Sequence, residues 1–237
     1  MKYFMDFHTH TIAGGHAYST LQENIAVAVQ KGLKFLGYSE HGPMMPGGPH
    51  FLYFKNMKVL PREFGDLKLF RGVEANIMDY NGTLDLEEEL LSKLDYCIAS
   101  LHTLCCKPGT VEENTRAVVA AMKNPYVTIL GHPDDSRYPL NYEVVVKAAK
   151  EEKVLLEVNN ASMDPKNARQ NGRENVVTLL GTCMKYDCPI VLGSDAHFSG
   201  AVGNFAEVLK VIEEIGFPES LIVNANPEGW KKVVRGQ

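Results

Sequence analysis

Short runs rich in β-branched and aromatic residues alternate along the chain with longer segments whose apolar positions recur at helical spacing. Seven runs read as strands: 2–8, 34–39, 68–74, 95–101, 126–131, 154–159 and 189–194. Between them, amphipathic patterns predict helices over 20–31, 55–65, 86–92, 112–123, 141–151, 173–186 and 204–215. Ser19-Thr20 ahead of the first helix and Thr110 with Glu112-Glu113 at the fourth are start signals, because their oxygens can accept the first free helical N–H groups. Seven βα units in succession, with no break in composition, predict one α/β domain over 1–237, built as a closed or nearly closed barrel and not as two half-sheets.

The bulk numbers narrow the class without changing that picture. With 45% hydrophobic and 22% charged residues the chain has the composition of a globular protein, and no apolar run approaches the roughly 20 residues that cross a bilayer. The start, Met1 to Asp6 followed by His8, has no apolar core of a signal peptide, and five cysteines do not make an even disulfide framework. A cytoplasmic, reducing location is expected. Adjacent Cys105 and Cys106, where a redox or metal-binding role competes, read as two small thiols near a loop, and Cys183 with Cys188, without the close spacing of a zinc knuckle, as packing. A net charge of −5 disfavours a protein whose main partner is a nucleic-acid backbone.

The chemistry enters with the histidines. His8 and His10 end the first strand, two apart; His16 follows in the next loop, and His41 closes the second strand. Glu74 ends the third strand, His102 the fourth and His132 the fifth, while Asp195 and His197, again two apart, end the seventh. In a parallel barrel all these carboxyl ends open on one face, where barrel enzymes assemble their sites. Seven of the eight histidines therefore converge with two carboxylates; His50, in a loop off the strand ends, stands apart as a substrate-loop or structural residue. Imidazole and carboxylate without thiolate suit Zn, Mn or Fe, with zinc the first expectation. Nine ligands exceed one open catalytic site of three or four, which predicts a multi-metal cluster with a bridging carboxylate.

Six segments in order, Asp6-Phe7-His8-Thr9-His10, Ser39-Glu40-His41-Gly42-Pro43, Gly72-Val73-Glu74-Ala75-Asn76, Ser100-Leu101-His102, Gly131-His132-Pro133 and Gly193-Ser194-Asp195-Ala196-His197, resemble those of the PHP (polymerase and histidinol phosphatase) superfamily. With His41-Gly42-Pro43-Met44-Met45-Pro46 the resemblance is closest to its YcdX-like phosphatases. It implies a distorted seven-stranded (βα)7 barrel, TIM-like, of the PHP fold, with three divalent metal ions: His8, His10, Glu74 and Asp195 at the first, Glu74, His102 and His132 at the second, and His16, His41 and His197 at the third. It implies phosphate monoester hydrolysis, with a metal-bound hydroxide attacking phosphorus in line and Glu74, Asp195, His102 and His132 at the catalytic pair of metals. Ser39-Glu40 stands where the family often has Thr and Asp, which would alter a hydrogen bond to a ligand.

Asp6, two residues before His8, is a candidate either to orient an imidazole or to fill a barrel layer. Arg137 and Lys107, on rim loops, are candidates to grip an anionic substrate, as are Asn159 and Asn160 at the end of the sixth strand, which supplies no metal ligand. The expected partner is a small phosphorylated substrate; homo-oligomer formation and the leaving-group acid stay open. Histidinol-phosphate phosphatase is the alternative activity, and a metal-dependent amidohydrolase or a non-catalytic metal-binding module lies further off. Trp230 near the end of the chain is expected to pack against the barrel.

Overall fold

The computed structural model describes residues 3–164 and 169–234. Lys2, the first residue of the first predicted strand, lies outside them. The eight strands are β1 (Met5–Asp6), β2 (Phe35–Tyr38), β3 (Glu63–Phe64), β4 (Leu67–Asn76), β5 (Tyr96–Ser100), β6 (Ile129–Leu130), β7 (Leu155–Asn159) and β8 (Ile190–Gly193). All but β3 run parallel, in the order β1-β2-β4-β5-β6-β7-β8. The result is a nearly closed barrel of seven parallel strands.

The helices between strands are α1 (Leu21–Gln30), α2 (Phe51–Asn56), α3 (Glu88–Leu91), α4 (Val111–Met122), α5 (Tyr142–Glu152), α6 (Gly172–Tyr186) and α7 (Ala206–Ile215), followed by α8 (Trp230–Val233). Thr20 with Glu23 and Thr110 with Glu113 form reciprocal capping boxes at α1 and α4, as the start signals predict. The expected helix over 55–65 is a correction. Helix α2 starts earlier, where the His50 ring accepts a hydrogen bond from Leu52 N, and ends by Asn56. Pro61 cannot donate into a continuing helix, and Gly65, with φ 61°, makes a two-residue turn with Asp66 that folds β3 back on β4. His50 is therefore a helix cap.

Side chains alternate across each strand. On β4, Leu69, Val73 and Ala75 face the surrounding helices, while Phe70 joins Phe7, Tyr96, Ile98, Ile129, Leu155 and Val191 inside the barrel. Gly72 leaves room for the Tyr96 ring, which a Cβ there would strike. At the amino-terminal end Trp230 stacks on Phe35 and Phe70, with ring centroids 5.5 and 5.4 Å apart, and closes the barrel floor as expected.

Between β1 and β8 no ladder forms. The seam is closed by a single bridge, Thr9 with Ala196, where His10 N donates to Ala196 O (2.9 Å). Asp6 reaches across it to accept from Ser194 N (3.2 Å) and Gly203 N (2.8 Å), so this carboxylate ties the seam and does not orient an imidazole. Lower down, buried Asn224 takes the place of a strand: its side chain accepts from Leu192 N (2.7 Å) and donates to Leu192 O (2.9 Å) and Met5 O (3.0 Å). Asn224→Ala would leave these backbone groups unpaired in the interior. At about 1–3 kcal/mol per stranded group, we expect a loss of roughly 3 kcal/mol, seen as a lower urea midpoint with unchanged slope.

Candidate metal centre

Above the apolar filling, the inward positions at the carboxyl ends turn polar. Glu74 stands at the centre, fully buried on β4. Its Oε1 lies 2.8 Å from His132 Nε2 and 3.2 Å from His102 Nε2. Its Oε2 lies 2.8 Å from His41 Nδ1, 3.3 Å from His8 Nε2 and 3.4 Å from His10 Nε2. Asp195 Oδ1 faces the same two imidazoles, 3.5 Å from His8 Nε2 and 3.2 Å from His10 Nε2. Both His8 and the preceding Phe7 turn inward, which strict strand alternation forbids; β1 ends at Asp6, and the chain beyond it is irregular.

Short distances do not mean satisfied groups here. His8 Nε2, both ring nitrogens of His10, His41 Nδ1, His102 Nε2 and Glu74 Oε2 are buried and make no hydrogen bond of acceptable geometry. Buried polar atoms are rarely left so. Lone pairs converging without donors between them are what a shared cation requires. Ligand atoms cluster within 4.8 Å in four sets: His8, His10 and Glu74; His8, His132 and Asp195; His41, Glu74 and His102; and His10, His41 and His197. The last differs from the expected third set. His16 stacks beside it, its ring centroid 5.0 Å from that of His41 and 4.8 Å from that of His197, but the tight cluster has His10 in its place.

Behind the ligands a second layer fixes which nitrogen each ring presents. Glu157, buried on β7, accepts from His8 Nδ1 (2.6 Å) with one oxygen and from His132 N (2.8 Å) with the other. The Asn76 carbonyl oxygen accepts from His102 Nδ1 (2.8 Å), while its amide donates to Asp85 Oδ2 (2.6 Å), which settles its orientation. His16 and His197 place Nδ1 3.0 Å from the carbonyls of Gly14 and Asp195. For His8 and His102 this leaves Nε2 facing Glu74. Glu40 accepts from Thr11 N (2.7 Å) and holds the loop after β1. Backbone strain gathers here too: His132 and Asp195 adopt φ of 27° and 54°, the left-handed region that side chains other than glycine avoid.

The charges are mutually adjusted. Burial raises the Glu74 carboxyl, but the His41, His8 and His102 rings outweigh it and hold it well below the usual range. Burial opposes charging His8, yet Glu157, Glu74 and Asp195 carry it well above an ordinary histidine. Burial first, then His41 and His197, push His10 well down, and burial brings His102 to about 4. Burial thus keeps the His10 and His102 rings neutral, the form that binds metal.

No protein-family model matches the chain. Full-length relatives do. A probable phosphatase of Clostridium acetobutylicum is 47% identical over 234 residues, covering 99% of this chain and 94% of its own length. One of Clostridium novyi is 48% identical over 226 residues, covering 95% and 92%, and one of Caldicellulosiruptor saccharolyticus is 46% identical over 231 residues, covering 98% and 95%. The chain belongs to this family of phosphatases.

The fold of the phosphatase is that of solved histidinol phosphate phosphatases. The histidinol phosphate phosphatase of Lactococcus lactis, solved with zinc, L-histidinol and phosphate, superposes with a TM-score of 0.61 at 17% identity, over 91% of this chain and 95% of that one. A Listeria monocytogenes structure described as a histidinol phosphatase superposes with a TM-score of 0.60 at 18% identity, over 84% and 97%. The amidohydrolase and storage readings find no support among these relatives.

Of the predicted substrate contacts, the structure of the phosphatase keeps few at the cluster. Asn160 caps α7, accepting from Glu207 N (3.0 Å) and Val208 N (3.2 Å). Asn159 is buried behind Asp195, its amide 3.3 Å from Oδ2. Arg137 pairs with Asp135 of its own loop, at 2.6 Å. Lys107 is exposed beyond His102. Sequence reasoning missed Arg169, whose guanidinium donates to Asp195 Oδ2 (2.7 Å) and Asn159 Oδ1 (3.2 Å). It missed Glu157 as well, on the strand expected to supply no metal ligand. Gly193 opposite has no side chain because the Glu157 carboxylate occupies that space.

Proposed function

We propose that the phosphatase hydrolyses small phosphate monoesters at a trinuclear centre of divalent ions, zinc by first expectation, as in the YcdX-like branch. The observation that carries this is the ring of buried nitrogens and Glu74 Oε2 without hydrogen-bond partners. His8, His10, Glu74 and Asp195 would hold one ion, and Glu74, His102 and His132 a second. His41 and His197 would hold the third, with His16 or His10 completing the set. Divalent ions bound there supply positive charge against the phosphate oxygens and acidify a water for in-line attack.

The chain's own groups do the positioning. Arg169 and Asn159 occupy Oδ2 of Asp195 and so leave Oδ1 facing His8 and His10. Glu157 fixes His8 through Nδ1, and Asn76 fixes His102 in the same way. L-Histidinol phosphate stays a candidate substrate through the zinc- and histidinol-bound neighbour of the same fold.

Elemental analysis of gently purified protein should find close to three divalent ions per chain. The same protein should hydrolyse p-nitrophenyl phosphate, lose that activity to chelator and regain it with zinc or manganese. One ion or none in active protein would overturn the trinuclear centre.

A further inference from the structure

Eleven large apolar side chains stand exposed among the described residues, and five of them follow a candidate ligand within three positions. They are Ile12 after His10 (57% exposed), Tyr18 after His16 (79%), Met44 after His41 (58%), Leu104 after His102 (70%) and Phe198 after His197 (60%). Exposed apolar residues scattered singly need no explanation. Five of them on the loops that leave the metal ligands do.

Those loops are tied to one another at the rim. Tyr18 N donates to His197 O (2.8 Å) and Ser199 N to Ser19 Oγ (2.9 Å), which sets the Tyr18 loop beside the Phe198 loop. Cys105 Sγ lies 3.6 Å from Met44 O, which joins the Met44 loop to the Leu104 loop. The charge pattern agrees. Residues 11–20, 42–50, 103–110 and 198–205 contain no carboxylate and one cation, Lys107. Among nearby acids, Asp85 is held by Asn76, Asp134 by Ser162 and Asp135 by Arg137.

We infer that these side chains form an apolar collar that selects phosphate monoesters of uncharged, hydrophobic alcohols. The inference rests on the phosphatase reading and deepens it: the proposed metal centre would take the phosphate, and the collar the alcohol. An ammonium-bearing alcohol such as histidinol finds no carboxylate on these four loops, while a hydrocarbon leaving group loses water against the collar.

The test is kcat/KM for ethyl, butyl and hexyl phosphate, whose alcohols are of similar acidity, with 4-aminobutyl phosphate and L-histidinol phosphate beside them, on metal-loaded protein. The expected result is a rise of about two- to fourfold per added methylene, the upper value being full burial of a methylene. The 4-amino ester should fall about tenfold or more below butyl phosphate. In the triple variant Tyr18→Ser, Leu104→Ser, Phe198→Ser the ratio of hexyl to ethyl phosphate should drop toward one.

Turnover with a flat chain-length series, or preference for the aminoalkyl or histidinol ester, would overturn the collar and leave the phosphatase standing. A flat series with a lower sedimentation mass for the triple variant would assign these side chains to contact with a second copy of the chain, which also overturns it. No turnover of any ester by metal-loaded protein would remove both readings together.

Discussion

Glu74→Ala protein should fold and yet hydrolyse p-nitrophenyl phosphate on the order of a thousandfold more slowly than wild type, the several kcal/mol that a metal-held charge supplies to such a transition state. One oxygen of Glu74 faces His102 and His132, the other His8, His10 and His41, so a single truncation would take a ligand from both of the ions proposed to lie on either side of it. Metal content should fall below that of wild type in the same preparation. Folding should survive, because Glu74 is surrounded by ligand side chains and supports no other part of the barrel through its carboxylate. Circular dichroism checks that point. Hydrolysis and metal content both unchanged would show that Glu74 bridges nothing.

The second large effect is expected one layer further out. Glu157→Gln keeps the volume of the side chain and removes an acceptor. His8 Nδ1 and His132 N are both donors aimed at separate carboxylate oxygens, so an amide must turn its NH2 group against one of them whichever way it is placed. Either His8 loses the partner that presents its Nε2, or the strained His132 backbone loses its anchor. Loss of such an outer partner typically weakens metal affinity or activity 10- to 100-fold. Titration against a competing chelator, with kcat measured at saturating metal, separates the two contributions. If both stay at wild-type values, Glu157 is only a filler of the space opposite Gly193.

All nine expected ligands lie at one rim, and that much was legible because strand ends in a parallel barrel are defined by chain periodicity alone. His8, Glu74, His102, His132 and Asp195 close apolar runs whose β character is local. The third candidate set was less legible: whether His10 or His16 joins His41 and His197 depends on how the loop after β1 curls back, where Glu40 holds Thr11 from 29 positions away.

Glu157 could have been found. It interrupts Val154-Leu155-Leu156 and Val158 in a strand otherwise buried on both faces, where an acid without a task is costly. Arg169 carried no such signal, since it lies in a polar loop and its meaning comes from Asp195, 26 residues away. The β3 hairpin was hidden by an apolar pattern that fits a helix, although Pro61 and Gly65 mark its limits. Asn224 was invisible for another reason: a lone asparagine near the end of the chain shows nothing of the strand pair it completes.

The weakly laddered seam gives the cluster a mechanical office as well. His8 and His10 stand on one lip of that seam and Asp195 and His197 on the other, above a single bridge. Ions seated between them would fasten the first strand to the last, as a buckle joins the two ends of a belt. Stripping the metal would then loosen the girdle where its ends meet, before any helix on the outside gives way.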